Sequence, residues 1–135
     1  MSGDTVTSIS ALQFTNDNKF AYAYSGQFAT SASGVTFLQF NTNSEYINAK
    51  FQTMNTQNDS DVIEWSILFN NVEVASYNAE GRTGQAEYGD VIYLIIPPFT
   101  VVKVIGKSIG GGNKAGIATV TGEVGMAPRV GNLVE

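Results

Sequence analysis

The sequence predicts an all-β protein, an antiparallel β-sandwich of about eight to nine strands. Three observations predict this fold class. Apolar and polar residues alternate with period two along most of the chain, turn signals recur about every 8 to 12 residues, and no segment shows a helical period. A chain of 135 residues is near the commonest domain size. We therefore expect one sandwich domain over residues 6–125, with an N-terminal arm at 1–5 and a C-terminal tail at 126–135.

Four strands are predicted in the first half of the chain. They cover Val6–Gln13, Phe20–Ala29, Val35–Phe40 and Glu45–Met54. Asn16-Asp17-Asn18 predicts a turn between the first two, because Asn and Asp hydrogen-bond their own backbone in turns. Phe20, Tyr22 and Tyr24 share one face of the second strand, and Gly26 indicates a bulge within it.

The second half of the chain carries stronger strand patterns and two clear reversals. The predicted strands cover Asp61–Phe69, Val72–Tyr77, Val91–Ile96, Phe99–Ile105 and Gly116–Val124. Asn70-Asn71 predicts a two-residue hairpin, since both residues tolerate positive φ. Pro97-Pro98 predicts a corner, because neither proline can donate to a strand ladder. The number and spacing of the strands favour a jelly roll over an immunoglobulin fold.

Alternation also predicts which side chains form the core and which face the solvent. The predicted core residues are Trp65, Phe37, Phe51, Phe69, Leu94 and Ile96. Half of any set of aromatic residues in strands fills the core, and the exposed members could form a platform on which sugars stack. The candidates for this platform are Trp65, Tyr22, Tyr24, Tyr46, Tyr77, Tyr88 and Tyr93. The predicted partner-binding residues are Tyr46 and Tyr88, as exposed contacts, and Pro128 and Arg129 in the C-terminal tail.

The composition excludes several classes of function. The net charge is −5 with only 14% charged residues, whereas a nucleic-acid-binding protein needs a basic surface. Solubility depends instead on 12 Asn, 12 Thr, 11 Ser and 6 Gln. No run of 18 or more apolar residues predicts a bilayer span, and Met1–Thr5 does not resemble a signal peptide. We expect no nucleic-acid and no membrane partner.

Catalytic chemistry has few candidate residues in this sequence. It contains no histidine and no cysteine, so the commonest general base, thiol nucleophile and zinc ligands are missing. A glycosidase with two facing carboxylates stays open, because the chain has 12 acidic residues. Asn55–Asp61 is faintly similar to a calcium loop but lacks its glycine and terminal glutamate. The glycine-rich segment Ser108–Lys114 predicts a hairpin loop, not a phosphate site. We expect no enzyme activity, no cofactor and no bound metal.

Two segments resemble a known class of proteins. The first, 65–74, joins a tryptophan-bearing strand to the asparagine hairpin, and the second, 95–104, contains the proline corner between two apolar strands. Together they resemble the second half of small jelly-roll head decoration (cement) proteins of tailed bacteriophages, over about residues 60–124. Trimeric heads related to complement and tumour necrosis factor, which resemble fibre tips, have a similar strand order.

The resemblance implies a function in assembly. It implies a virion structural protein that decorates a phage head, binds the major capsid protein or other virion proteins, and acts as a homotrimer. Such a protein would lie on the capsid surface after synthesis in the host cytoplasm. The alternative is a receptor- or carbohydrate-binding head of a fibre, or a lectin-like module. A sandwich with some other structural function is the simplest remaining interpretation.

Overall fold

A computed structural model describes residues 12–14, 19–55, 62–80, 87–110 and 114–125. Nine strands lie within these ranges. They are β1 (Gln13–Phe14), β2 (Phe20–Ala29), β3 (Val35–Asn41), β4 (Ile47–Asn55), β5 (Val62–Phe69), β6 (Val72–Glu80), β7 (Glu87–Ile96), β8 (Val101–Ile109) and β9 (Ala115–Val124). The all-β prediction is therefore confirmed.

The strands form two sheets that pack face to face. One sheet has five strands in the order β1-β2-β9-β4-β7, and the other has four in the order β3-β8-β5-β6. Every paired strand is antiparallel. The chain crosses between the sheets at most of its connections, so that β9 enters between β2 and β4, and β8 enters between β3 and β5. This order is that of a jelly roll.

The β5–β6 connection is the predicted asparagine hairpin. Asn70 and Asn71 have φ angles of 52° and 68°, the left-handed backbone that a primed two-residue turn requires. The side chain of Asn70 adds a link to the neighbouring strand, because its Oδ1 accepts a hydrogen bond of 2.9 Å from the Val101 N–H. The turn therefore fixes the register of β5 against both β6 and β8.

Most of the large side chains of the core come from the four-stranded sheet, and most of the small ones from the five-stranded sheet. The four-stranded sheet contributes the large buried residues Phe37, Leu38, Phe40, Ile63, Trp65, Ile67, Val102 and Val104. The five-stranded sheet faces them with five alanines and with fewer large side chains, of which Phe51 is the one buried aromatic residue among those described. Its buried apolar residues are Ala21, Ala23, Ile47, Ala49, Phe51, Ile96, Ala115, Ala118 and Val120. Large side chains fill the space that small ones leave, which is how a sandwich core reaches native packing density.

Trp65 lies at the centre of this arrangement. Its side chain is 0% exposed, and its ring meets Phe37 edge-on at a centroid distance of 4.8 Å. A Cβ atom at Gly116, in the opposite sheet, would lie only 2.9 Å from Cζ2 of the indole. Glycine at 116 therefore leaves the space that the indole occupies. The indole N–H is buried and has no hydrogen-bond partner among the described residues.

Local irregularities change the predicted alternation in β2 and β3. The bulge predicted at Gly26 is present, as a register shift between Tyr24 and Gln27. A second shift, between Thr36 and Leu38, was not predicted. It buries Phe37 and Leu38 together, whereas strict alternation placed them on opposite faces. The extra residue of a bulge is what allows two successive side chains to point inward.

Four of the six predicted core residues are fully buried, and two are not. Trp65, Phe37, Phe51 and Ile96 are buried, whereas Phe69 and Leu94 are half-buried and pack against the edge of the core. Phe69 is the last residue of β5 and Leu94 lies on the edge strand β7. At both positions the opposite sheet covers the side chain incompletely.

Several strand boundaries differ from the predicted ones. β6 extends to Glu80 and β7 begins at Glu87, so part of the polar stretch predicted over 78–89 is strand. Ser108 and Ile109 belong to β8, not to the glycine-rich turn. The buried Ser108 hydroxyl hydrogen-bonds that of Thr30, a tertiary contact that local composition does not reveal. Most of the predicted first strand lies outside the described residues.

Candidate interaction surfaces

Exposed large apolar side chains concentrate on two surfaces. Five lie on the solvent side of the five-stranded sheet, namely Phe20, Tyr24, Val91, Tyr93 and Ile95. Three lie at one end of the sandwich, namely Tyr46, Val72 and Phe99. Clusters of exposed apolar side chains commonly mark sites where another molecule binds. We name these surfaces the outer sheet face and the tip.

The outer sheet face is ordered in rows that cross four strands. Strand register gives the rows Phe20–Glu123–Asn48–Ile95, Tyr22–Thr121–Lys50–Tyr93 and Tyr24–Thr119–Gln52–Val91, each running from β2 through β9 and β4 to β7. In every row the two end positions are aromatic or aliphatic and the two middle positions are polar. The face is therefore a polar strip between two apolar rims.

The first two rows line a shallow groove of about 750 Å³. Its rims are three strand spacings apart, or about 14 Å. On the β2 rim the rings of Tyr22 and Tyr24 lie 5.2 Å apart with a 30° tilt. On the β7 rim Tyr93 is 73% exposed. The groove volume is within the range of small-molecule sites.

The tip is held rigid by hydrogen bonds among three connections. It comprises the β3–β4 loop (42–46), the Asn70-Asn71 hairpin and the β7–β8 corner (97–100). The Thr42 hydroxyl donates to the Pro97 carbonyl at 2.8 Å and accepts from the Thr100 N–H at 2.8 Å. The Asn70 N–H donates to the Val101 carbonyl at 2.8 Å, which fastens the hairpin to the corner.

Phe99 is the most exposed large apolar side chain among the described residues, at 74%. Its φ angle is 55°, in the left-handed region, which a bulky residue seldom adopts because its Cβ crowds the backbone. The Phe99 N–H donates to the Asn43 carbonyl at 2.8 Å, and this bond helps to hold the conformation. The tip thus presents an aromatic ring to solvent at a conformational cost.

The structure describes the side chain of only one of the four predicted partner-binding residues. Tyr46 is exposed and belongs to the tip, where its carbonyl accepts a hydrogen bond of 2.8 Å from the Gly125 N–H. Tyr88 lies in β7, but its side chain is outside the described part of the chain. Pro128 and Arg129 lie outside the described residues altogether. Partner binding by these residues stays a prediction.

Of the aromatic residues considered for sugar stacking, some are exposed and others are not. Tyr22, Tyr24 and Tyr93 reach the outer sheet face, whereas Trp65 is in the core. Tyr77 is half-buried, with its hydroxyl 2.5 Å from that of Thr53. Parity in β2 predicted the shared face of Tyr22 and Tyr24, but nothing local predicted that Tyr93 would lie opposite them.

The described carboxylates belong to separate elements of the fold. Four acidic side chains lie within the described residues, one in a loop and three in strands, namely Glu45, Glu64, Glu73 and Glu123. Only Glu123 lines the groove on the outer sheet face. No group of three or more acidic residues that could hold a metal ion occurs in the described ranges. The calcium-like segment Asn55–Asp61 lies outside them, apart from Asn55, whose Nδ2 donates to the Ala79 carbonyl at 2.7 Å. No helix in the described part of the chain could span a membrane.

Comparison with known proteins adds little to this geometry. No family model and no curated protein matches the sequence. Among solved structures, the chain is similar to a mutant VP2 protein of infectious bursal disease virus in derived particles, with 16% identity and a TM-score of 0.45 over 79% of this chain and 33% of that one. It is also similar to a chain in a structure of the Gx strain of infectious bursal disease virus, with 12% identity and a TM-score of 0.47 over 81% of this chain and 37% of that one. The chain therefore spans about a third of either structure, and its fold assignment rests on its own strand order.

Proposed function

We propose that the chain is a virion structural protein that decorates the head of a tailed bacteriophage. It attaches to the major capsid protein through the tip and acts as a homotrimer on the capsid surface. The resemblance in 65–74 and 95–104 suggests this class of protein. The observation that carries the proposal is Phe99, an exposed aromatic ring held on a rigid tip.

The ring of Phe99 contributes little to the stability of the isolated domain. Its ring is 74% exposed, so burial contributes little, and its left-handed backbone costs about 1–2 kcal/mol. Strain of this kind is typical of binding sites, where the surrounding structure maintains it. Aromatic residues presented by rigid loops are frequent anchors of protein interfaces, because little conformational entropy is lost on binding.

The rest of the surface is consistent with assembly. Only 14% of residues are charged, so a partner protein can cover this surface without desolvating many charges. A clamp on a capsid needs complementary area, on the order of 1,000 Å² or more, and no reactive group. The tip would provide the centre of such an interface, with Tyr46 and Val72 beside the Phe99 anchor.

Replacing Phe99 with glycine separates binding from stability. The Phe99→Gly variant should have a free energy of unfolding equal to that of the wild type or up to about 1 kcal/mol higher, because the left-handed strain of about 1–2 kcal/mol that glycine relieves outweighs the roughly 0.5–1 kcal/mol of backbone entropy that it costs. Its affinity for the capsid should fall at least tenfold, as expected when an aromatic anchor is lost. Urea denaturation measures the first quantity, and co-sedimentation with capsids purified from a mutant lacking this protein measures the second.

A matched control lies on the other surface. The Tyr93→Ala variant removes an equally exposed aromatic ring from the outer sheet face and should co-sediment with capsids as the wild type does. If Phe99→Gly bound capsids as tightly as the wild type, the tip would not be the attachment surface and the proposal would be wrong.

The homotrimer is a separate expectation. Light scattering should give a mass three times the 14.4 kDa of the chain, since cyclic assembly lets identical surfaces meet around one axis. The measurement should be made over a range of protein concentrations. A mass that stays at one chain at the highest concentration would contradict the trimer.

A further inference from the structure

We infer that the groove on the outer sheet face is a binding site for a neutral oligosaccharide. The groove lies on a sheet face, whereas the tip lies at the end of the sandwich. This inference is therefore independent of capsid attachment. It goes beyond the proposed function by giving the protein a second ligand of a different chemical class.

The polar strip of the groove consists of side chains with no partners of their own. Asn48, Lys50, Thr121 and Glu123 line it, and within the described part of the chain none of these side chains makes a hydrogen bond or ion pair. Lys50 and Glu123 bring opposite charges to neighbouring rows. Because these two charges oppose each other, the strip offers no net electrostatic attraction to a ligand with a large charge of either sign.

The two rims supply the complementary part of the site. Tyr22 on β2 and Tyr93 on β7 stand at the ends of the same row, with Thr121 and Lys50 between them. Aromatic rings offer flat apolar faces with a polar handle at the tyrosine hydroxyl. A molecule that fills the groove must therefore present apolar faces at its sides and hydrogen-bonding groups along its middle.

An oligosaccharide has this combination of groups. Its ring C–H faces can stack on the tyrosines, and each hydroxyl both donates and accepts a hydrogen bond. It can thus satisfy the amide of Asn48, the ammonium of Lys50 and the carboxylate of Glu123 together. An apolar protein surface would instead leave these groups buried without partners, which is costly. The groove is shallow, so we expect dissociation constants on the order of 1 mM.

Saturation-transfer NMR with defined sugars tests the site. The probes are cellohexaose, maltohexaose and hexa-N-acetylchitohexaose, with a heparin hexasaccharide as the charged comparison. We expect saturable binding of at least one neutral probe and weaker binding of heparin. Tyr93→Ala should lower the affinity at least tenfold, because it removes the β7 stacking face. Thr121→Val should lower it a few-fold, because it removes a hydroxyl while keeping the shape of the side chain.

The control variant is Phe99→Gly, which should bind the sugars as the wild type does. The inference would be overturned if no neutral probe showed saturable binding at about 10 mM, tenfold above a Kd of 1 mM. Binding of heparin alone, or binding that Tyr93→Ala leaves unchanged, would also overturn it. A gain in sugar affinity with Thr121→Val would contradict hydrogen bonding to the polar strip. A change of oligomeric mass with Tyr93→Ala would identify the face as a protein interface instead. Loss of capsid binding in Phe99→Gly bears on the tip alone.

Discussion

Replacing Trp65 with alanine is expected to lower the free energy of unfolding by about 4 kcal/mol, in the range measured when large aromatic residues are removed from cores. Trp65 is fully buried and packs edge-on against Phe37. Its indole also fills the space left by Gly116 in the opposite sheet, so the sheets cannot close the cavity without moving together. A small domain has only about 5–15 kcal/mol of stability in total.

Urea denaturation followed by far-ultraviolet circular dichroism measures this loss, since the variant lacks the one tryptophan of the chain. Tyr93→Ala is the matched control, because it removes an aromatic ring that is 73% exposed. A change within about 0.5 kcal/mol is expected there. A similar loss at both positions would show that the core is not organised around Trp65.

A second large loss is expected from a much smaller change, Gly122→Ala. In most strands, replacing glycine with alanine raises the free energy of unfolding by about 0.5–1 kcal/mol, because glycine is more flexible in the unfolded chain. At Gly122 the new Cβ would lie 2.7 Å from the Asn48 carbonyl oxygen and 2.7 Å from Cγ2 of Ile47. The carbonyl belongs to the backbone of β4 and cannot rotate away. We therefore expect Gly122→Ala to lower the free energy of unfolding by about 3 kcal/mol, at the upper end of the cost of overpacking a core.

The neighbouring residue provides the control for Gly122. Thr121 lies on the same strand and faces solvent, so Thr121→Ala should change the free energy of unfolding by no more than about 0.5 kcal/mol. Thermal or urea unfolding of both variants gives the comparison. An increase in stability with Gly122→Ala would mean that β4 and β9 are farther apart than the structure places them.

The parts of the fold that depend on near neighbours could be predicted from the sequence. Asn70-Asn71 specifies its turn because positive φ is a property of those two residues, and Ile47, Ala49 and Phe51 point inward as alternation requires. Bulges follow different rules. The shift before Leu38 depends on pairing with β8, so alternation alone gave the wrong face for one residue of the Phe37-Leu38 pair.

The candidate sites depend on contacts between distant segments. Tyr22 and Tyr93 form opposite rims only because β9 and β4 lie between their strands, and no local pattern specifies that order. In β2 the side chains of Phe20, Tyr22 and Tyr24 face outward, while Ala21 and Ala23 face the core. Small residues suffice on the inner face of β2, because the four-stranded sheet opposite it supplies most of the large core side chains. Nor does the sequence show that Phe99 adopts positive φ, because phenylalanine has no preference for that backbone.

The position of β9 has a consequence for how this protein is made. β9 is the last of the nine described strands to be synthesised, yet it lies between β2 and β4 and hydrogen-bonds to both. Until the ribosome has translated it, β2 and β4 each have an unpaired edge, and such edges recruit other chains into aggregates. Pairing Phe20 with Glu123 also joins residues far apart in sequence, so folding should take milliseconds to seconds. A nascent chain that stops before β9 should therefore aggregate, and soluble protein should form only after β9 has been made.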